Sequence, residues 1–174
     1  GLSMLSKEVR DKTADFLMTK PVSRVSIMTS KLMAVFFALV LTNIVYISLT
    51  ILAAVVVVGE FDIKVFFMIS LTLFFLQLIF MAIGLVISVL NRKIKSVISV
   101  SLSMVFGFYV VGSLGSIIGE EKVRYFSPFR YFDTAYIIKN GTYEANFVVI
   151  GLLLFFAATG ISYLIYVKKD IHAN

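Results

Sequence analysis

The chain has 174 residues, of which 60% are hydrophobic and 15% charged, against about 45–50% and 25% in soluble domains. A soluble domain of this size could not bury so much apolar surface, whereas a bilayer can. The lack of cysteine and the presence of one histidine, His172, exclude disulfides, thiolate metal sites, cysteine nucleophiles and a serine–histidine–acid set within the body of the chain. No metal, cofactor or catalytic residue is therefore expected. The net charge of +6 matches a membrane topology, described below, better than a nucleic-acid partner.

The first 30 residues are not a span. Residues 6–19 carry the pattern of a short amphipathic helix. At about 100° per residue, Leu5, Val9, Thr13, Phe16 and Leu17 share one face and Lys7, Glu8, Asp11 and Asp15 lie opposite. Pro21 ends that helix, because the residue before a proline is driven out of the helical region. Ser23 can then cap a helix running into the first span.

Four stretches, 32–59, 65–91, 96–119 and 145–167, contain no charged residue. Each exceeds the roughly 20 apolar residues that cross the hydrocarbon core. All must be helical, since lipid cannot satisfy exposed backbone groups. Asn43 in the first stretch and Gln77 in the second are the conspicuous polar residues. They read either as interhelical hydrogen-bond glue, worth about 0.6–2 kcal/mol, or as part of a transport path. Gly115-x-x-x-Gly119, with Gly112 and Ser116, predicts close helix–helix packing of the third span.

Residues 120–144 form the one sizeable segment on the far side. Ser127-Pro128 reads as a cap followed by proline at the first helical position. A helix over 128–139 would place Phe129, Phe132, Ala135 and Tyr136 on one face, with Asn140-Gly141 ending it. Crowded with Tyr125, Phe126, Phe129, Tyr131, Phe132 and Tyr136, it reads as an interfacial or partly re-entrant aromatic helix.

Eleven basic residues fall on the side shared by the first segment, the second loop and the tail, and five on the other side. The positive-inside rule places the first group, with both ends of the chain, in the cytoplasm. The expected fold is thus all-α. It is a single membrane domain over 1–174 with four transmembrane helices, an amphipathic cytoplasmic N-terminal helix and a short extracytoplasmic helix. The chain lacks the G-x-x-x-x-G-K-[ST] phosphate loop and is not itself a P-loop ATPase.

The segment Glu8-Val9-Arg10-Asp11-Lys12-Thr13-Ala14-Asp15-Phe16-Leu17-Met18-Thr19-Lys20-Pro21-Val22-Ser23-Arg24, with Lys31 beyond it, resembles the cytoplasmic loop of ABC-2 type permeases. Those are the membrane subunits of one class of ATP-binding-cassette transporter. Glu8, Thr13, Asp15, Phe16, Leu17, Pro21, Ser23, Arg24 and Lys31 fall at matching places. Lys12 and Ser30 stand where glycine is common. Tyr125-Phe126-Ser127-Pro128-Phe129-Arg130-Tyr131-Phe132 is similar to the family's aromatic Pro-Phe-x-Tyr-Phe segment before the last span.

The resemblance covers essentially the whole chain and implies a permease subunit of an exporter in a bacterial plasma membrane. It also implies that these are the last four of six spans. Residues 1–30 would be a coupling segment, with Glu8, Asp11, Thr13, Asp15, Phe16, Pro21, Arg24 and Lys31 facing or transmitting to a separate ATPase subunit. A second permease half, identical or different, would complete the transporter, and no cofactor is implied. Two other classes fit composition alone: a four-helix membrane scaffold without transport activity, and a secondary transporter driven by an ion gradient.

Overall fold

The computed structural model describes residues 24–57, 59–90, 97–119 and 121–168. The expected amphipathic helix over 6–19, the loop holding Arg92, Lys93 and Lys95, and His172 lie outside the described residues.

Four helices are long and apolar enough to cross a membrane: α1 (Arg24–Val57), α2 (Ile63–Leu90), α3 (Val97–Ile118) and α5 (Ala145–Lys168). A short α4 (Thr134–Asn140) and two 3₁₀ turns, Glu121–Phe126 and Pro128–Arg130, lie between α3 and α5. The spans fall within a few residues of the charge-free stretches, except that α1 begins earlier, at Arg24. Ser23, the expected cap, lies outside the described residues. None of the four has a Glu or Asp in its sequence. Helices apolar on every side suit lipid on one side and packed protein on the other.

The ends of the spans are set by local chemistry. Asp62 precedes α2, and its Oδ1 accepts hydrogen bonds from the amides of Lys64 at 2.9 Å and Val65 at 3.2 Å, satisfying two of the orphan donors at a helix start. Gly119 closes α3 in the left-handed region (φ 74°), with its amide donating to Gly115 O at 3.1 Å, the usual glycine stop.

Helices α2 and α5 share the largest interface, and α1 packs on both. One core cluster, built on Met28, Met81, Leu85 and Val89, sits toward the end where α1 begins. A second, built on Ile79, Tyr131, Phe132 and Phe147, sits toward the opposite end and includes residues from outside the spans. Helix α3 stands apart from the other three spans. Its main contacts are with the 3₁₀ turns that follow it, together with a ring pair between Phe108 and Phe80 at 6.0 Å.

Large apolar side chains cover the outer faces of α1 and α3, among them Leu41, Leu49, Leu52, Leu102 and Phe106. Lipid or further protein is the medium that such faces require. At 34 residues α1 is about 50 Å long, roughly 20 Å more than the hydrocarbon core is thick. The excess carries Arg24 and Lys31 at its first two turns.

Candidate functional site

The segment between α3 and α5 does not form the single helix over 128–139 that its sequence suggests. It makes a hairpin that folds back along α3. The first reason is Asp133. Its backbone is extended (φ −75°, ψ 113°) and its Oδ1 accepts from the Ala135 amide at 2.9 Å. Asp133 is therefore the N-cap of a new helix, α4, and interrupts the old one. The second reason is burial on both sides of the break. Tyr131 and Phe132 are adjacent yet both buried. Tyr131 stacks on Phe147 at 5.9 Å, and Phe132 on Phe75 at 5.4 Å. The bend lets two neighbouring rings reach α5 and α2 separately. Of the face expected to hold Phe129, Phe132, Ala135 and Tyr136, the last two are exposed. The Asn140-Gly141 stop is where the sequence places it, with Gly141 donating to Ile137 O at 2.8 Å.

Ser127 also departs from expectation. Pro128 does occupy the first turn, but the Ser127 hydroxyl makes no cap. It donates instead to Phe108 O in the middle of α3, at 2.7 Å. Phe108 lies ten residues before Ile118, so at 1.5 Å per residue the tip of the hairpin reaches about 15 Å below the end of α3. That is roughly half the thickness of a hydrocarbon core. Phe129 lies at a similar depth, with its ring 5.1 Å from Phe80 and 6.0 Å from Tyr109.

The small residues of α3 make room for this hairpin, not for another helix. A Cβ on Gly112 would stand 2.6 Å from Ser127 Oγ and 3.4 Å from Arg130 Cγ. A Cβ on Gly115 would overlap Val123, at 2.7 Å from its Cβ and closer still to its Cγ1. Close packing at Gly112 and Gly115 is thus as the sequence implies. The partner is backbone and side chain from the next segment, while Gly119 serves the turn.

Polar contacts pin the base of the hairpin. Arg124 Nη2 pairs with Glu144 Oε1 at 2.7 Å, and the two side chains are 15% and 19% exposed. The same guanidinium lies 4.0 Å above the Phe147 ring and donates to Arg130 O at 3.3 Å. The Tyr131 hydroxyl donates to Tyr125 O and that of Tyr143 to Met68 O, both at 2.7 Å. Burial pushes both phenols above their ordinary value, an effect that a hydrogen bond with Thr72 partly offsets at Tyr143. Both remain neutral donors at physiological pH. The Arg124, Tyr131 and Tyr143 side chains are thus each paired or neutral, which limits the cost of placing them in an apolar setting.

Within the spans, Asn43 and Gln77 meet. Asn43 Nδ2 donates to Gln77 Oε1 at 2.6 Å and also contacts Leu39 O at 2.9 Å, while Asn43 Oδ1 is buried without a partner. Pro128, Phe129, Tyr131 and Phe132 are gathered in the hairpin. Arg24 opens α1, and Lys31 is half-buried two turns on. Glu8, Asp11, Thr13, Asp15, Phe16 and Pro21 lie outside the described residues. Sequence reasoning did not single out Arg124, Glu144 or Tyr143 as site residues. Opposite charges flanking an aromatic run were the available signal, but their pairing depends on a bend that composition does not announce.

Four membrane-length helices with a hairpin folded back among them define a multi-pass membrane protein. The chain belongs to the ABC-2 family of transporter proteins, whose family model matches residues 1–171. It is accordingly a membrane permease component and not an enzyme. No curated relative and no solved structure matches it significantly.

Proposed function

We propose that the chain is the permease subunit of an ABC exporter, driven by ATP hydrolysis in a separate ATPase subunit and completed by a second permease half. The observation that carries this reading is the extent of the family match, 1–171. It takes in both the segment resembling a coupling loop and the aromatic hairpin. The distribution of basic residues supports an orientation with residues 1–30 and the C-terminal tail in the cytoplasm.

In this reading Glu8, Asp11, Thr13, Asp15 and Phe16 lie on the helix that docks to the ATPase. Pro21 sets the turn, and Arg24 and Lys31 sit on the part of α1 that extends past the hydrocarbon core. A stiff helix continuous from that end through the membrane transmits a push at its base to the Asn43–Gln77 contact with α2. ATP binding in the partner would rock the spans as rigid bodies. The hairpin occupies the opposite half of the bundle and stands in the way of cargo leaving on that side.

Affinity purification of the full-length protein from its native membranes tests the proposal. A P-loop ATPase is expected to co-purify from wild type and to be lost from Phe16→Asp and Arg24→Glu. If no ATPase is recovered, and both variants behave as wild type in transport, the reading fails.

A further inference from the structure

Two arginines sit six residues apart in the hairpin and are treated in opposite ways. Arg124, at the base, has a carboxylate, an aromatic face and a carbonyl. Arg130, at the tip, lends only its backbone carbonyl to that network. Its guanidinium has no ion pair, hydrogen bond or ring contact among the described residues, although the residue is partly buried.

Its stem crosses α3 at Gly112, where Arg130 Cγ comes within 3.4 Å of the position a Cβ would occupy. Gly112 is six residues before Ile118, so that crossing lies about 9 Å below the end of α3. A cation at such a depth is costly, and where one persists it faces an aqueous cavity or a counter-ion. The described spans offer no counter-ion, since none contains Asp or Glu. For the same reason the spans of a second copy would offer none. The nearest acid in sequence, Asp133, has one carboxylate oxygen committed to capping α4. On the same hairpin Tyr125 and Phe126 are 54% and 73% exposed. A cation without a partner among the described residues and exposed aromatic surface thus share one element.

We infer that Arg130 binds the anionic headgroup, phosphate or carboxylate, of an amphiphile whose apolar part lies against the hairpin and α3. Arginine suits this role because its planar fork grips an oxyanion through two donors and stays charged in an apolar setting. The inference rests on the transport reading and deepens it, naming an anionic amphiphile as the class of cargo. Gly112 lies beside the site: the arginine stem passes it at contact distance, and the missing Cβ leaves room for the Ser127 hydroxyl.

The test is lipid binding by the full-length protein without ATP, so its outcome is separable from that of the ATPase experiment. Native mass spectrometry would compare retained phosphatidylglycerol with phosphatidylcholine for wild type, Arg130→Lys, Arg130→Met and Lys139→Gln. Wild type and Lys139→Gln are expected to prefer the anionic lipid. Arg130→Met should weaken that preference by at least about tenfold, the loss of one charge-assisted contact, and Arg130→Lys should weaken it less. A photoactivatable phosphatidylglycerol should cross-link wild type within residues 125–130 or beside Gly112, which keeps the test independent of how any variant folds. An unchanged preference in Arg130→Met, or cross-links confined to other regions, overturns the inference. Displacement of the lipid by millimolar inorganic phosphate would mean a site for free anions and would overturn the amphiphile assignment.

Discussion

Removing the Glu144 charge isolates the contact that holds the base of the hairpin. In Glu144→Gln, Arg124 keeps its place above Phe147 but loses its counter-charge. Breaking a fully buried pair costs about 3–5 kcal/mol, and an exposed pair is worth about 0–1 kcal/mol. With side chains 15% and 19% exposed, this pair lies nearer the buried limit, and about 2 kcal/mol is expected after discounting for solvent access. Arg124→Gln also forfeits the ring contact and the bonds to Arg130 O, adding about 1 kcal/mol. The double variant should cost little more than Arg124→Gln alone, giving a coupling energy of about 2 kcal/mol. Thermal unfolding of the purified full-length protein in detergent reads this directly, because about 2 kcal/mol lowers the midpoint by roughly 4–8 °C in a chain of this size. Single-variant effects that add to within about 0.5 kcal/mol would show that the two side chains do not depend on each other, and the hairpin would need another anchor.

Gly115→Leu should cost about 1–3 kcal/mol by overpacking against Val123, and Val123→Ala in the same chain should recover part of it, as measured by unfolding midpoint. Asn43→Leu and Gln77→Leu should each destabilise by about 1 kcal/mol, while the double change should cost less than their sum, because both ends of one buried contact are then removed together. The raised phenols of Tyr131 and Tyr143 make the folded hairpin favour their neutral forms. Stability is then fully present below the unfolded value of 10.0 and falls as pH rises through the folded values. Alkaline unfolding followed by ultraviolet absorbance should show that decline, and Tyr131→Phe should lessen it.

The spans were legible because lipid imposes one rule along their length. Uncharged runs past about 20 residues must be helices, and their limits reappear within a few residues in α2, α3 and α5, while α1 starts eight residues before its charge-free run. An isolated amide in each of two spans signalled either an interhelical hydrogen bond or a transport path, but that Asn43 and Gln77 bond to each other was not legible. The hairpin was legible only in composition. Its aromatic run and its Asn140-Gly141 stop can be read directly, but the break at Asp133 depends on tertiary packing. Tyr131 and Phe132 have rings to bury on two different spans, and a continuous helix satisfies only one of them. Gly112 and Gly115 carried the right meaning with the wrong partner. Small residues declare that something approaches closely, and spacing alone does not distinguish a neighbouring helix from a chain folding back on itself.

Cross-linking at the proposed docking helix tests the central claim most directly, since it needs no knowledge of the cargo. A photoreactive amino acid in place of Phe16 in the full-length protein, activated in native membranes, should yield a covalent adduct with a P-loop ATPase. ATP should alter the yield as the partner changes conformation. Adducts with lipid or other copies of the chain alone would contradict the account and favour a membrane scaffold or a gradient-driven carrier.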